Sequence, residues 1–169
     1  MFLTGRPRSG KSTVMIKCLE NLRRRGFGVG GIATPEVRAD GGRLGFDIVD
    51  LISGRKALMA GIEISSSHRV GKYGVDVRVF ESIALPALEN AERICALVAI
   101  DEIGRMELFS IRFKERVEEL IKGEKPVLAV LHRGYVKSYG KYGILQEVTY
   151  MNRDSLVDSV TSHFVGLLR

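Results

Sequence analysis

One run constrains this chain more than any other: Gly5-Arg6-Pro7-Arg8-Ser9-Gly10-Lys11-Ser12, which fits G-x-x-x-x-G-K-[ST] without a gap. A short apolar segment, Phe2-Leu3-Thr4, precedes it. A helical pattern follows from Ser12, with Val14, Met15, Cys18, Leu19 and Leu22 on one face. Strand, glycine-bounded loop and helix is the context in which this spacing wraps a phosphate. Glycine permits the dihedrals that turn backbone N–H groups inward. The helix start adds its positive end. Lys11 is spaced to reach outer phosphates, and the Ser12 hydroxyl suits Mg²⁺.

A second signal lies far downstream, in Leu97-Val98-Ala99-Ile100-Asp101-Glu102. A continuous apolar run of this kind is a strand buried on both faces, and here it ends in two carboxylates. Asp101 is the second expected Mg²⁺ contact, opposite Ser12. Glu102 is placed to orient a water, which favours hydrolysis over transfer to another acceptor. Arg6 and Arg8 sit inside the loop. Arg105 and Arg133 follow the ends of predicted strands, where sites form on α/β sheets. Arg105 is the expected catalytic arginine, beside Lys11 and Glu102. Asn152 and Asp154 suit either helix capping or contact with a nucleotide base. No feature selects among Tyr73, Tyr135, Tyr139, Tyr142 and Tyr150 as stacking partners, and His68, His132 and His163 have no metal-ligand spacing.

The rest of the chain alternates short strands and helices. Strands are expected at Val29 to Thr34, Ala96 to Ile100, Pro126 to Leu131 and Leu145 to Tyr150. Helices are expected from Ser12 to a cap at Gly26, and over Ser82 to Arg93 with Pro86 in its first turns. Two more are expected over Glu107 to Lys122 and Ser155 to Leu168. Residues 36–79 depart from this rhythm. Gly41-Gly42 and Gly54-Arg55 mark turns, so antiparallel hairpins are expected there, with a polar loop over residues 65–74. The whole, residues 1–169, reads as one α/β domain: a mostly parallel sheet covered by helices on both faces, with an antiparallel hairpin insertion at about 36–79.

Lys and Arg number 26 against 20 Asp and Glu, a formal net charge of +6. That balance permits an anionic partner, but no motif supports nucleic acid in particular. Two cysteines make no disulfide framework, and Cys18 and Cys95 read as buried thiols of a reducing compartment. No apolar run is long enough to span a membrane. A cytoplasmic location follows as the expectation, and a monomer is favoured.

Six stretches taken together resemble the THEP-type nucleoside-triphosphatases. They are Thr4 to Thr13, Glu36-Val37-Arg38, Arg43-Leu44-Gly45-Phe46, Val70-Gly71-Lys72-Tyr73, Asp101-Glu102-Ile103-Gly104-Arg105-Met106-Glu107 and Asn152-Arg153-Asp154. The resemblance implies a RecA-like P-loop NTPase domain that hydrolyses ATP, GTP and other nucleoside triphosphates with Mg²⁺, slowly and with broad base tolerance. It places the phosphate-binding residues on Gly5 to Ser12, with Thr13 adjoining. It places a second nucleotide-binding stretch on Leu97 to Gly104, through Ile103, and assigns water activation to Glu102. One departure is Arg8, where such loops usually carry glycine; a positive φ there would strain an arginine. Two other readings share the motifs. One is a nucleoside or nucleotide kinase whose insertion holds the acceptor. The other is a nucleotide-gated module that binds RNA or protein.

Overall fold

The computed structural model describes all of residues 1–169. Strand β1 (Phe2–Thr4) runs into the glycine-bounded loop and helix α1 (Lys11–Arg24), followed by β2 (Val29–Ala33). The inserted region forms β3 (Glu36–Ala39), β4 (Gly42–Asp50), β5 (Lys56–Gly61), β6 (Arg69–Val70) and β7 (Tyr73–Val75). Then come α2 (Val77–Ile94), β8 (Leu97–Ile103), α3 (Ile111–Lys122), β9 (Val127–Leu131), the short α4 (Val136–Tyr139), β10 (Leu145–Glu147) and α5 (Arg153–Leu167).

All ten strands join one sheet, in the order β10-β1-β9-β8-β2-β4-β5-β7-β6 with β3 paired to β4. The half from β10 to β2 is parallel throughout. From β4 onward the inserted strands pair antiparallel and extend the edge of β2. Helices cover both faces. Period-two alternation in β8 shows why: Leu97 and Ala99 pack with α1 and α5, whereas Val98 and Ile100 pack with α2 and α3. Phe80 and Phe113 lock α2 to α3 with ring centroids 4.9 Å apart, edge to face. Burying each such ring stabilises the fold by about 2–3 kcal/mol. Both cysteines are buried and free, and burial raises the pKa of each thiol. No helix is long and apolar enough to cross a membrane.

Several expected boundaries are corrected. Helix α2 starts at Val77 rather than Ser82, because Asp76 caps it by accepting a hydrogen bond from the Val79 N–H at 3.0 Å. The insertion therefore ends before 79. The alternation Val75, Val77, Val79 looks like a strand locally, and helical packing overrides it. Pro86 consequently lies inside the helix, not in its first turns. The polar loop expected over residues 65–74 contains β6 and β7, reversed at Gly71, whose φ is 57°. Pairing of Ala60 with Val75 supplies a partner that no local pattern reveals. The segment from Glu107 opens as a 3-10 turn, and α3 begins only after Ser110, whose hydroxyl accepts from the Phe113 N–H at 3.0 Å. The last strand stops at Glu147 rather than Tyr150, where the Asn152 side chain closes a turn.

Candidate active site

The strand order sets the site. Strand β9 lies between β1 and β8, so the loop after β1 and the acidic end of β8 face each other across one strand width at the sheet's C-terminal edge. The loop bends through three residues of positive φ: Gly5 at 147°, Arg8 at 62° and Gly10 at 100°. Gly5 is required by close approach, since a Cβ there would collide with the Val148 carbonyl. Arg8 does occupy the left-handed region that suits glycine. Gly10 precedes the first turn of α1 with no side-chain cap, which leaves that turn's N–H groups for an anion. Ser9 is buried within the loop, whereas Arg6, Pro7, Ser12 and Thr13 are exposed around it.

Lys11 folds back over the loop, its Nζ donating to the Arg6 carbonyl at 3.0 Å. The Ser12 hydroxyl donates to Asp101 Oδ1 at 3.1 Å. Asp101 is only 5% exposed, and its backbone carbonyl accepts from the Thr34 hydroxyl at 2.7 Å. Burial foremost, with the charge of Glu102, pushes its carboxyl up to about 7; the Ser12 bond and Lys11 oppose this. A hydroxyl and a carboxylate together are the hard oxygen donors that Mg²⁺ takes, and a cation would relieve the cost of burying Asp101. The two residues fit that ion. No group of three or more His, Cys, Asp or Glu is arranged to hold a metal by itself.

Strand β8 carries one extra residue relative to β9 between Ile100 and Ile103. This bulge breaks the alternation and presents Asp101 and Glu102 in succession at the strand end. Burial raises the Glu102 pKa, while His132 and Lys11 draw it back down. Glu107 lies behind, 6% exposed. A Cβ on Gly104 would stand 2.6 Å from Glu102 Oε1 and 2.9 Å from Glu107 Oε2, so the two carboxyls flank the same backbone atom. Burial and the charge of Glu102 push Glu107 up to about 8, against backbone hydrogen bonding at Glu107 and Gly104.

The expected residues divide into four groups. The loop residues, Ser12, Asp101 and Glu102 come together, with Gly104 beside the carboxyls. Leu97, Val98, Ala99, Ile100 and Ile103 are fully buried in the sheet, so they position the strand end from within the core. Asn152 is committed to its own turn: its Oδ1 accepts from the Thr149 N–H and its Nδ2 donates to the Glu147 carbonyl, both at 2.8 Å. Asp154 lies 3.7 Å from Lys17 on the surface. Arg105 and Arg133 are exposed at the ends of β8 and β9.

Two further residues, to which the sequence assigns no site role, lie near the carboxylates. His132 directly follows β9; its Nδ1 accepts from the Gly134 N–H at 3.1 Å, which leaves the proton of a neutral imidazole on Nε2. A short apolar strand ending in a polar residue was its only local signal. Glu107 lies within the quoted acidic motif, but its burial depends on the 3-10 turn.

Comparison with known proteins shows the family and the fold. A family model described as NTPase matches residues 1–161. The chain is 43% identical over 141 residues to the nucleoside-triphosphatase THEP1 of Methanothermobacter thermautotrophicus, covering 83% of this chain and 80% of that one. It is 35% identical over 169 residues to the THEP1 of Methanocaldococcus jannaschii, covering 100% and 99%. The crystal structure of THEP1 from Aquifex aeolicus superposes with a TM-score of 0.85 at 33% identity, over 97% of this chain and 98% of that one. The solution structure of a human cancer-related nucleoside triphosphatase gives 0.79 at 32% identity, over 96% and 95%. The chain belongs to the THEP1 nucleoside-triphosphatase family of P-loop NTPases.

Proposed function

We propose that this chain hydrolyses ATP, GTP and other nucleoside triphosphates to the diphosphate and phosphate, with Mg²⁺. The observation that carries the reading is Glu102, a partly buried carboxylate beside the Ser12–Asp101 pair at the mouth of the phosphate loop. Lys11 and the loop N–H groups hold the β- and γ-phosphates. Ser12 and Asp101 are the residues that would hold Mg²⁺, which supplies charge neutralisation to the phosphates when bound. Glu102 orients a water and takes its proton as the new O–P bond forms. The bond from the γ-phosphorus to the bridging oxygen breaks, and the electron pair leaves on the diphosphate. Arg105, exposed and without a carboxylate partner, is free to meet charge on the transferring group.

The site is rich in cations that the protein does not neutralise. The chain's ion pairs involve Lys17, Arg38, Arg43, Arg112, Arg116 and Lys122. Arg6, Arg8 and Lys11 of the loop are outside that set, so a bound polyanion would meet charges that no carboxylate already pairs.

The test is phosphate release from ATP, GTP, CTP and UTP, with Mg²⁺ or with EDTA, in the presence and absence of acceptor nucleosides. Release from several triphosphates that needs Mg²⁺ and no acceptor is the expected result. Phosphorylation of an added nucleoside in preference to water would replace hydrolysis by kinase chemistry.

A further inference from the structure

The segment after β10 wraps the phosphate loop from its first glycine to its last. The Val148 N–H donates to the Thr4 carbonyl at 2.7 Å, and the Val148 carbonyl fills the space a Cβ on Gly5 would need. Arg153 then lies along Gly10, with its Cδ 3.4 Å from where a Cβ would stand. Between these two anchors the chain makes a turn that begins with Tyr150-Met151.

The Tyr150-Met151 tip is apolar and open. Tyr150 is 65% exposed and Met151 is 96% exposed, the highest value among the large hydrophobic side chains. The Arg153 guanidinium lies over the tyrosine ring, 5.4 Å from its centroid. Single exposed apolar residues are ordinary. An aromatic and a thioether side by side, tethered within one arginine's length of a phosphate loop, have a specific use.

The polar groups nearby point the same way. Asn152 has the amide best suited to reading a base edge, and both ends of it are spent on holding the turn. The tip therefore offers an aromatic face, beside an amide whose orientation is set by its own turn. Stacking accepts any base, because every base has a π-face.

We infer that Tyr150 and Met151 form the platform for the nucleobase of the bound triphosphate, with Arg153 backing the ring. The inference rests on the proposed triphosphate reading and extends it: base tolerance comes from recognition by surface rather than by hydrogen bonds. Tyr150 is a binding residue here, not a participant in the chemistry.

The experiment measures the affinities of ATP, GTP, CTP, UTP and inorganic tripolyphosphate, each with Mg²⁺, for the wild type, Tyr150→Phe and Tyr150→Ala. The wild type is expected to bind the four nucleotides more tightly than tripolyphosphate. Tyr150→Ala is expected to weaken all four by about tenfold and to leave tripolyphosphate unchanged, with Tyr150→Phe close to the wild type. Full nucleotide affinity in Tyr150→Ala would overturn the platform, as it would if another protein or a second copy covers the tip. An equal loss for tripolyphosphate would also overturn it, by showing that the tyrosine acts through the phosphate loop. A wild type that binds tripolyphosphate no less tightly than nucleotides removes the platform and keeps the phosphate site; one that binds neither removes both.

Discussion

Ser12 and Asp101, 89 residues apart in the chain, are joined by a 3.1 Å hydrogen bond. One opens the helix after β1 and the other ends β8, so the bond ties the phosphate loop to the acidic strand. Breaking the carboxylate's role without changing its shape separates binding of the metal from folding. Asp101→Asn is expected to fold and to raise the Mg²⁺ concentration for half-maximal phosphate release by about ten- to a hundredfold. A magnesium titration of the two proteins checks this, and coincident curves would remove Asp101 from the metal site.

Glu107 makes stability fall as pH rises. Its carboxyl is held at about 8 in the fold by burial and the charge of Glu102, against an ordinary value of 4.5. Between those two values the unfolded chain has released the proton and the folded chain has kept it. The folded state then binds more protons, so raising the pH favours unfolding across that window and has no further effect above it. Glu107→Gln keeps the shape and loses the titration. Denaturant melts at pH 5 and pH 8 are expected to show a smaller loss of stability in the variant than in the wild type.

His132 faces the same acidic cluster from the end of β9. The electrostatic influence of His132 and of Lys11 lowers the Glu102 pKa that burial raises. His132→Gln removes one of those two influences. The acidic limb of the kcat profile, where Glu102 gains a proton, is expected to move to higher pH. An unmoved limb would show that Glu102 does not govern it or that His132 does not act on it.

Arg8 holds a φ of 62°, a conformation that costs a non-glycine residue about 1–2 kcal/mol. Glycine avoids that strain but gains chain entropy when unfolded. Arg8→Gly is therefore expected to exceed Arg8→Ala in stability by about 1 kcal/mol, and thermal or chemical melts measure the difference. If the guanidinium also reaches the phosphates, both variants weaken tripolyphosphate binding equally.

The sequence was most informative where chemistry and local pattern coincide. The Gly5 to Ser12 loop, the β8 run ending in Asp101 and Glu102, and the α1 stripe needed no distant partner to be recognised. What stayed hidden depends on contacts across the chain. The β6–β7 hairpin is built from polar, glycine-containing residues and exists because β5 offers an edge. Asp76 looks like part of a strand until α2 packs on the sheet. Asn152 looked equally fit for a base edge or a cap, and only the turn from Glu147 shows its amide to be occupied. Glu107 required the 3-10 turn after β8 to bring its carboxyl back beside Glu102.

On the proposed reading, Glu102 activates the water that attacks the γ-phosphate. Single-turnover hydrolysis of Mg²⁺-ATP by the wild type and by Glu102→Gln, with nucleotide affinity measured on the same samples, tests it most directly. A loss of about 10²- to 10⁴-fold in the hydrolytic rate is expected, with affinity retained. Hydrolysis by Glu102→Gln at the wild-type rate would contradict it.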